Sequence, residues 1–249
     1  MTAVTTPLAS LRLAFAFLTR IPVPIGTVSP PQLGAAVAFF PLVGAVLGGL
    51  QLLALLLLPD DLDPALIGVV LVALGAAVTG ALHLDGLADV FDGLGGGRGD
   101  SRRMLEIMRD PRIGAHGATA LVLVLLAKVY ASGGLAARGL PAGLFLAPVC
   151  ARLAAAVLIR GFPYARAEGA GRSFRDHAHW QHVAIAAGTT LIAIFAAGWQ
   201  LVAAAAFGFA LAAVVAFWVH WRARGLTGDV YGAAIELCEV GVLIAARFC

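Results

Sequence analysis

The chain has 249 residues, of which 61% are hydrophobic and 12% are charged, and its formal net charge is +3. Soluble domains contain about 25% charged residues, so the composition excludes a soluble globular enzyme and indicates an integral membrane protein. With about 20 residues per span, we expect about six to eight helices and one membrane domain over residues 1–249. Cys150, Cys238 and Cys249 show no metal-ligand spacing, and we interpret them as apolar packing residues.

The first element along the chain is an apolar segment at residues 8–19, which is too short to cross a bilayer. We predict an interfacial helix there that ends at Arg20-Ile21-Pro22-Val23-Pro24. Uncharged runs then predict an all-α, polytopic transmembrane helical bundle of about seven spans. The predicted spans are 34–58, 64–84, 114–136, 139–159, 182–197, 200–220 and 226–246.

The arginines orient these spans. With the N-terminus in the cytoplasm, most arginines fall in cytoplasmic segments, and only Arg138 and Arg247 fall outside. The outer connection at Pro59-Asp60-Asp61-Leu62-Asp63 is acidic. Cytoplasmic loops of membrane proteins carry an excess of Lys and Arg, so this distribution agrees with an odd number of spans.

An acidic motif follows the second predicted span. Asp85, Asp89 and Asp92 stand at i, i+4 and i+7 after a run without Asp, Glu, Lys or Arg from Pro64 to Leu84. On a helix with about 100° per residue they share one face, where three like charges repel unless something neutralises them. Carboxylate oxygens suit Mg²⁺ or Mn²⁺, so the motif predicts a metal site, with a solvated helix end as the alternative.

A second acidic set opens the last predicted span. Asp229 and Glu236 are seven residues apart and share a face, and Glu239 follows. The predicted topology brings this set to the same membrane face as the first motif. The alternative is that these carboxylates form buried ion pairs with Lys128 or Arg152.

Two basic loops, at residues 95–117 and 160–179, lie between the acidic sets. Arginine binds phosphate oxygens in a bidentate manner, and a metal can bridge others, so this combination predicts a phosphorylated substrate. The candidate phosphate-binding residues are Arg102, Arg103, Arg109, Arg112 and His116, with Arg166 and Arg172 as weaker candidates. Each arginine could instead serve only to set the topology. His83 could bind a metal or be a hydrogen-bonded interfacial residue, and His177, His179 and His182 fit an interfacial loop better than a zinc site.

Four segments in the same order resemble the cobalamin synthase family, the adenosylcobinamide-GDP ribazoletransferases. The likeness runs from near residue 15 to near residue 240. The segments are Phe17–Pro24, His83–Asp89 with Asp92-Gly93, Arg103–Asp110 with Arg112–Gly117, and Thr227–Asp229 with Gly232–Glu236.

The resemblance implies a Mg²⁺-dependent transferase of the bacterial inner membrane that acts late in vitamin B12 assembly. It would join adenosylcobinamide-GDP to α-ribazole or its 5′-phosphate, release GMP, and form adenosylcobalamin or its 5′-phosphate. The expected partners are these small molecules and membrane lipid, with no nucleic acid. A homo-oligomer and a complex with other B12-assembly enzymes both remain open.

We therefore expect the metal ligands to come from Asp85, Asp89 and Asp229, together with Glu236 or Asp92. Asp92 is the candidate general base, and Asp85 and Asp89 share that catalytic role because a coupled acidic cluster titrates as a unit.

Three rival functions fit the sequence less well. A CDP-alcohol phosphotransferase fits poorly because Asp89, and not arginine, follows Ala88, and a prenyltransferase fits poorly because its Asn-containing motif is missing. A transporter or channel would place carboxylates near the bilayer midplane. Only Glu236, roughly 10 Å deeper than Asp229 by helical rise, supports the transporter or channel hypothesis.

Overall fold

The computed structural model describes residues 6–249, and within that range the regular elements are helices, with no strand. This confirms the all-α prediction. Twelve α-helices follow one another in the described range. They are α1 (Pro7–Leu18), α2 (Pro30–Ala36), α3 (Phe40–Leu57), α4 (Pro64–Thr79), α5 (Leu82–Gly96), α6 (Ser101–Ile107), α7 (Ala115–Ala137), α8 (Ala142–Gly161), α9 (Ala170–His177), α10 (Trp180–Ala197), α11 (Val202–Ala223) and α12 (Gly228–Ala245).

The short N-terminal helix is present as predicted. α1 begins at Pro7, whose fixed φ suits the first helical position, and the Thr6 side chain accepts a hydrogen bond from the Ala9 amide. It ends at Leu18, because Thr19 takes an extended conformation. Its buried face packs against α2 and α3.

Five helical segments in the described residues are long and apolar enough to cross a membrane, or six if α4 and α5 together make one span. The protein is therefore a multi-pass membrane protein, but the predicted count of seven is not confirmed. The predicted seventh span corresponds to α12, which carries Asp229, Glu236 and Glu239. With three carboxylates, α12 is too polar to be counted among the apolar helices that could cross a membrane. It is nevertheless surrounded by α5, α7, α8 and α11.

The predicted span 64–84 is wrong at its inner end, because a bend of 92° separates α4 from α5. Gly80 and Ala81 take the left-handed conformation, with φ of 65° and 56°, which terminates α4. The Arg20 side chain lies against Gly80, and the Arg20 amide donates a hydrogen bond to the Val78 carbonyl at 2.7 Å. The first acidic motif therefore belongs to a separate helix and not to the end of a straight span.

Glycines allow the helix backbones to approach closely, as is common in membrane bundles. Gly44 of α3 lies against the Pro148 backbone of α8, and Gly68 of α4 lies against the Val129 backbone of α7. Gly208 of α11 meets Gly241 of α12 in the same way. These contacts fix the helices that surround α12.

One end of the bundle gathers the connections that matter for the site. α7 begins beside Asp92 of α5, and the loop after α8 pairs with the residues before α12 through Ala165 and Leu226. α9 joins the same end, where the Phe174 and Phe17 rings are 4.3 Å apart. At the other end, Pro64 lies against Gly133, and Arg138 donates to the Arg247 carbonyl.

Candidate active site

Three carboxylates come together where α5 crosses α12. The two helices run antiparallel, and a Cβ at Gly86 would lie only 2.7 Å from the Asp229 carbonyl oxygen. Gly232, one turn further along α12, also lies against α5, since a Cβ there would be 3.2 Å from the His83 backbone. This approach brings Asp85 and Asp229 to one cleft, and Asp85 and Asp89 of α5 line a second cleft beside it.

One arginine partly compensates this group of carboxylates, which we call the acidic cluster (Asp85, Asp89 and Asp229). Arg166 forms an ion pair with Asp229 at 2.8 Å and also donates to the Met108 carbonyl at 3.3 Å. The Thr227 hydroxyl donates to the same Asp229 oxygen at 3.1 Å. Three carboxylates and one guanidinium leave two negative charges, which is the charge that a divalent cation neutralises.

Arg166 is held in place by backbone pairing. The Ala165 amide donates to the Leu226 carbonyl at 2.8 Å, and the Leu226 amide donates to the Pro163 carbonyl at 2.9 Å. This pairing joins the loop after α8 to the start of α12. From the sequence, Arg166 is a weaker candidate than the arginines of the first basic loop. The backbone pairing between the loop after α8 and the residues before α12 has no signature in the sequence.

Asp92, predicted as general base and metal ligand, caps the start of α7 and is held apart from the acidic cluster by that contact. Its two oxygens accept hydrogen bonds from the Gly114 amide at 2.7 Å and the Gly117 amide at 2.8 Å. The side chain is 8% exposed and neutralises the free amides at the start of α7. A Cβ at Gly114 or Gly117 would collide with the carboxylate, which explains both glycines of the Arg112–Gly117 segment.

Glu236, predicted as a metal ligand, is also separate from the acidic cluster and forms an ion pair. Its carboxylate pairs with the Lys128 ammonium at 2.7 Å, and Glu239 accepts from the same ammonium at 2.6 Å and from Arg152. The group of Lys128, Arg152, Glu236 and Glu239, which we call the buried quartet, joins α7, α8 and α12. Two positive and two negative charges balance, as the alternative of a structural ion pair predicts.

The predicted phosphate-binding residues separate into two groups. Arg109 and Arg112 line a polar cleft of about 270 Å³ together with Asp85 and Asp89. Arg112 forms a bidentate pair with Asp110, with N–O distances of 2.9 and 2.7 Å, and this pair lowers the pKa of the Asp110 carboxyl to about 2. These two arginines are therefore within the site that holds the carboxylates.

Arg102, Arg103 and His116 do not line that cleft. Arg102 and Arg103 are exposed in the first turn of α6, where their backbone amides donate to Asp100. The His116 ring packs over Gly95 and lines a different, apolar groove with Trp218. The structure thus brings Arg109 and Arg112, and not these three residues, to the acidic cluster.

Asp85 also lines a second cleft, of about 250 Å³, on its other side. This cleft, which we call the aromatic cleft, has Phe17, Phe40, Tyr164 and Tyr231 among its walls. Asp229 and Arg166 stand at the same cleft. Neither tyrosine is predicted from the sequence. The signal that could have identified Tyr231 is its position two residues after Asp229.

The acidic cluster fits a magnesium ion in its chemistry. In the described part of the chain, no three His, Cys, Asp or Glu side chains form a ready-made metal site. Mg²⁺ in phosphate-transfer sites commonly uses one or two carboxylates and takes its other ligands from water and substrate phosphates. Asp85 and Asp89, one turn apart on α5, offer such a pair of oxygen ligands beside a cleft that contains arginines.

Known proteins are similar to this chain along nearly its whole length. The family described as cobalamin-5-phosphate synthase matches residues 10–247. A protein of Pseudomonas paraeruginosa named adenosylcobinamide-GDP ribazoletransferase is 40% identical over 241 residues, covering 96% of this chain and 97% of the relative. Proteins of the same name from Syntrophobacter fumaroxidans and Desulfitobacterium hafniense are 40% and 38% identical, over 94% and 95% of this chain and 96% and 95% of the relatives.

No solved structure matches the chain. The sequence relationship extends over nearly the whole chain and includes α5, the α6–α7 connection and α12, which build the acidic cluster and the polar cleft. The chain therefore belongs to the cobalamin-5-phosphate synthase family and is a membrane-embedded transferase of cobalamin biosynthesis.

Proposed function

We propose that the protein transfers the phosphocobinamide group of adenosylcobinamide-GDP to α-ribazole or its 5′-phosphate and releases GMP. One observation carries the proposal beyond the names of the relatives: the acidic cluster stands between a cleft with two arginines and a cleft with aromatic walls. In such a reaction the arginines suit the diphosphate of the donor, and the aromatic walls suit the ring system of a nucleoside. The reacting phosphorus would then lie between the two clefts, beside the acidic cluster.

Asp85 and Asp89 are the residues that would hold Mg²⁺, with Asp229 as the third carboxylate of the cluster. When bound, the ion supplies positive charge for the diphosphate and for the GMP that leaves. Arg109 and Arg112 bind the remaining phosphate oxygens, and Arg112 exchanges its pair with Asp110 for a bidentate contact with phosphate.

The bond changes follow from this placement. The acceptor hydroxyl oxygen bonds to the phosphorus of the cobinamide phosphate, and the bond from that phosphorus to the GMP oxygen breaks. The hydroxyl proton passes to a carboxylate of the acidic cluster, and Asp85 is the best placed because it borders both clefts. Asp92 has no part in this step, since both of its oxygens accept backbone hydrogen bonds.

A transport function has less support. Intramembrane carboxylates that couple transport to ions must be able to exchange their partners. Glu236 and Glu239 are instead held by Lys128 and Arg152 in a neutral group. Glu236, the residue whose position in the sequence favoured a transporter, is thus explained by its ion pair with Lys128.

The protein would act in the bacterial inner membrane with its N-terminus and its active site on the cytoplasmic side. The distribution of arginine supports this orientation. Arg109, Arg112 and Arg166 lie at the end of the bundle that contains the acidic cluster, whereas Arg138 and Arg247 lie at the opposite end.

The test is a turnover assay on the purified chain in lipid, with adenosylcobinamide-GDP, α-ribazole and Mg²⁺. We expect release of GMP and a corrinoid that carries its lower base, and we expect EDTA to abolish both and added Mg²⁺ to restore them. Absence of product from folded, lipid-embedded protein would contradict the proposed reaction. Turnover that is insensitive to EDTA would contradict the metal dependence alone.

A further inference from the structure

The aromatic cleft has a size and lining that select its ligand. Its volume of about 250 Å³ is below the roughly 300–1,000 Å³ of pockets that enclose drug-sized molecules, and it suits one ring system. Phe17, Phe40 and the two tyrosines supply apolar walls, and the Tyr164 and Tyr231 ring centroids are 6.5 Å apart. Flat aromatic groups pack well against such walls.

Two buried side chains in the cleft have polar atoms without a partner among residues 6–249. His83 is 3% exposed, and neither of its ring nitrogens is hydrogen-bonded. Tyr231 is 4% exposed, and its hydroxyl has no partner either. Buried polar groups are almost always hydrogen-bonded, so two unpaired groups lining one cleft indicate a ligand that supplies the partners.

A glycine keeps the space beside the tyrosines open. A Cβ at Gly171 of α9 would lie 2.9 Å from the Tyr164 ring and 3.1 Å from the Tyr231 ring. Any larger residue at this position must displace one of the rings. The cleft therefore depends on the placement of α9 as well as on α5 and α12.

We propose that the aromatic cleft binds the base of the acceptor nucleoside, with Tyr231 and His83 as its hydrogen-bonding partners. The inference rests on the proposed function, because that reaction requires a nucleoside acceptor. A base with an apolar ring and few polar atoms matches the aromatic walls, with His83 and Tyr231 as the two side chains whose polar atoms lack a partner. The sugar of such a nucleoside would reach Asp85, which borders the cleft.

The guanine of the donor is the other flat base in the reaction, and it fits less well. Guanine carries several donors and acceptors on its edges, and the charged side chains at the cleft that could pair with them, Asp85, Asp229 and Arg166, belong to the acidic cluster and its ion pair. The arginines that suit the donor diphosphate lie in the polar cleft on the other side of Asp85. The two bases are therefore expected to bind on opposite sides of that carboxylate.

The test measures equilibrium binding of α-ribazole and of GMP, each without the other substrate, to the purified protein in lipid nanodiscs. We expect Tyr231→Phe to weaken α-ribazole binding by about tenfold, the upper range for one lost hydrogen bond, and to leave GMP binding unchanged. In turnover, the KM for α-ribazole should rise in the same proportion while the KM for the donor stays constant. Tyr130→Phe is the matched control, because Tyr130 is 64% exposed on α7.

A second variant covers the case in which Tyr231→Phe is poorly folded. Gly171→Ala adds one methyl group between the tyrosine rings and should also weaken α-ribazole binding without affecting GMP. Wild-type affinity for α-ribazole in both folded variants would overturn the inference, as would a loss of GMP binding with α-ribazole binding intact. Turnover by the wild-type protein separates this failure from failure of the proposed function, which predicts activity whichever cleft binds the base.

Discussion

Gly86 of α5 lies directly against the backbone of Asp229 in α12, so close that a Cβ at residue 86 would stand 2.7 Å from the Asp229 carbonyl oxygen. This contact brings two acidic motifs, separated by more than half of the chain, into one cluster. Residue 86 must therefore be glycine for the site to form, because any larger side chain would push the two helices apart.

Replacing this glycine tests the contact. Gly86→Ala should lower turnover by roughly tenfold or more, because an overpacked helix crossing costs about 1–3 kcal/mol and shifts the backbone that carries the cluster. Turnover per folded molecule and the apparent unfolding temperature in detergent measure the two effects. Gly188→Ala is the control, since a Cβ there has no atom within 4 Å. Equal turnover of Gly86→Ala and Gly188→Ala would show that the close contact is unimportant.

The capping role of Asp92 predicts a loss of stability and not of metal affinity. Asp92→Asn keeps one acceptor for the Gly114 and Gly117 amides and places an NH₂ group against the other, which should cost about 1–3 kcal/mol. The Mg²⁺ concentration that gives half-maximal turnover should stay unchanged. Asp100→Asn, at the exposed cap of α6, should cost less. A tenfold increase in the Mg²⁺ requirement of folded Asp92→Asn would restore Asp92 as a ligand.

We expect the loss of one charge from the buried quartet to destabilise the protein unless a charge of opposite sign is removed with it. Lys128→Met leaves two carboxylates with one arginine, and loss of one partner from a buried ion pair typically costs about 3–5 kcal/mol. Lys128→Met combined with Glu236→Met leaves the Arg152–Glu239 pair intact and should recover most of that stability. Thermal unfolding of the two single variants and the double variant gives the coupling energy. Stabilities that simply add would contradict the quartet.

The orientation in the membrane can be read from a native cysteine. Cys249 is exposed at the end of the bundle opposite the acidic cluster, while Cys150 and Cys238 are buried. A membrane-impermeant maleimide should therefore label Cys249 in intact spheroplasts, and Cys249→Ser should abolish the labelling. Ser101→Cys, introduced into the Cys249→Ser background at the start of α6, should react only after the membrane is permeabilised. The reverse pattern would place the active site outside.

Part of the site follows from local periodicity. Asp85 and Asp89 share a face because they are one turn apart, and the positive-inside pattern brings Asp229 to the same end as the first motif. Periodicity and topology thus include the three residues of the acidic cluster, together with Asp92 and Glu236, which lie elsewhere. The family segments add Arg109 and Arg112, which line the polar cleft.

Other features depend on contacts that periodicity cannot reveal. Asp92 continues the phase of Asp85 and Asp89, yet its partners lie 22 and 25 residues further along the chain. The break at Gly80-Ala81 requires a left-handed alanine, a conformation that alanine rarely adopts. Glu236 shares a face with Asp229, but the choice between metal and Lys128 depends on how α7 packs against α12.

We propose that Asp85, Asp89 and Asp229 form a carboxylate cluster that binds Mg²⁺ for phosphoryl transfer. Turnover of Asp89→Asn, measured against Mg²⁺ concentration in lipid-embedded protein, tests it most directly, with Glu106→Gln on the exposed face of α6 as the control. We expect a fall on the order of 100-fold or more for Asp89→Asn at every Mg²⁺ concentration and none for the control. Near-normal turnover and an unchanged Mg²⁺ requirement in folded Asp89→Asn would contradict the claim.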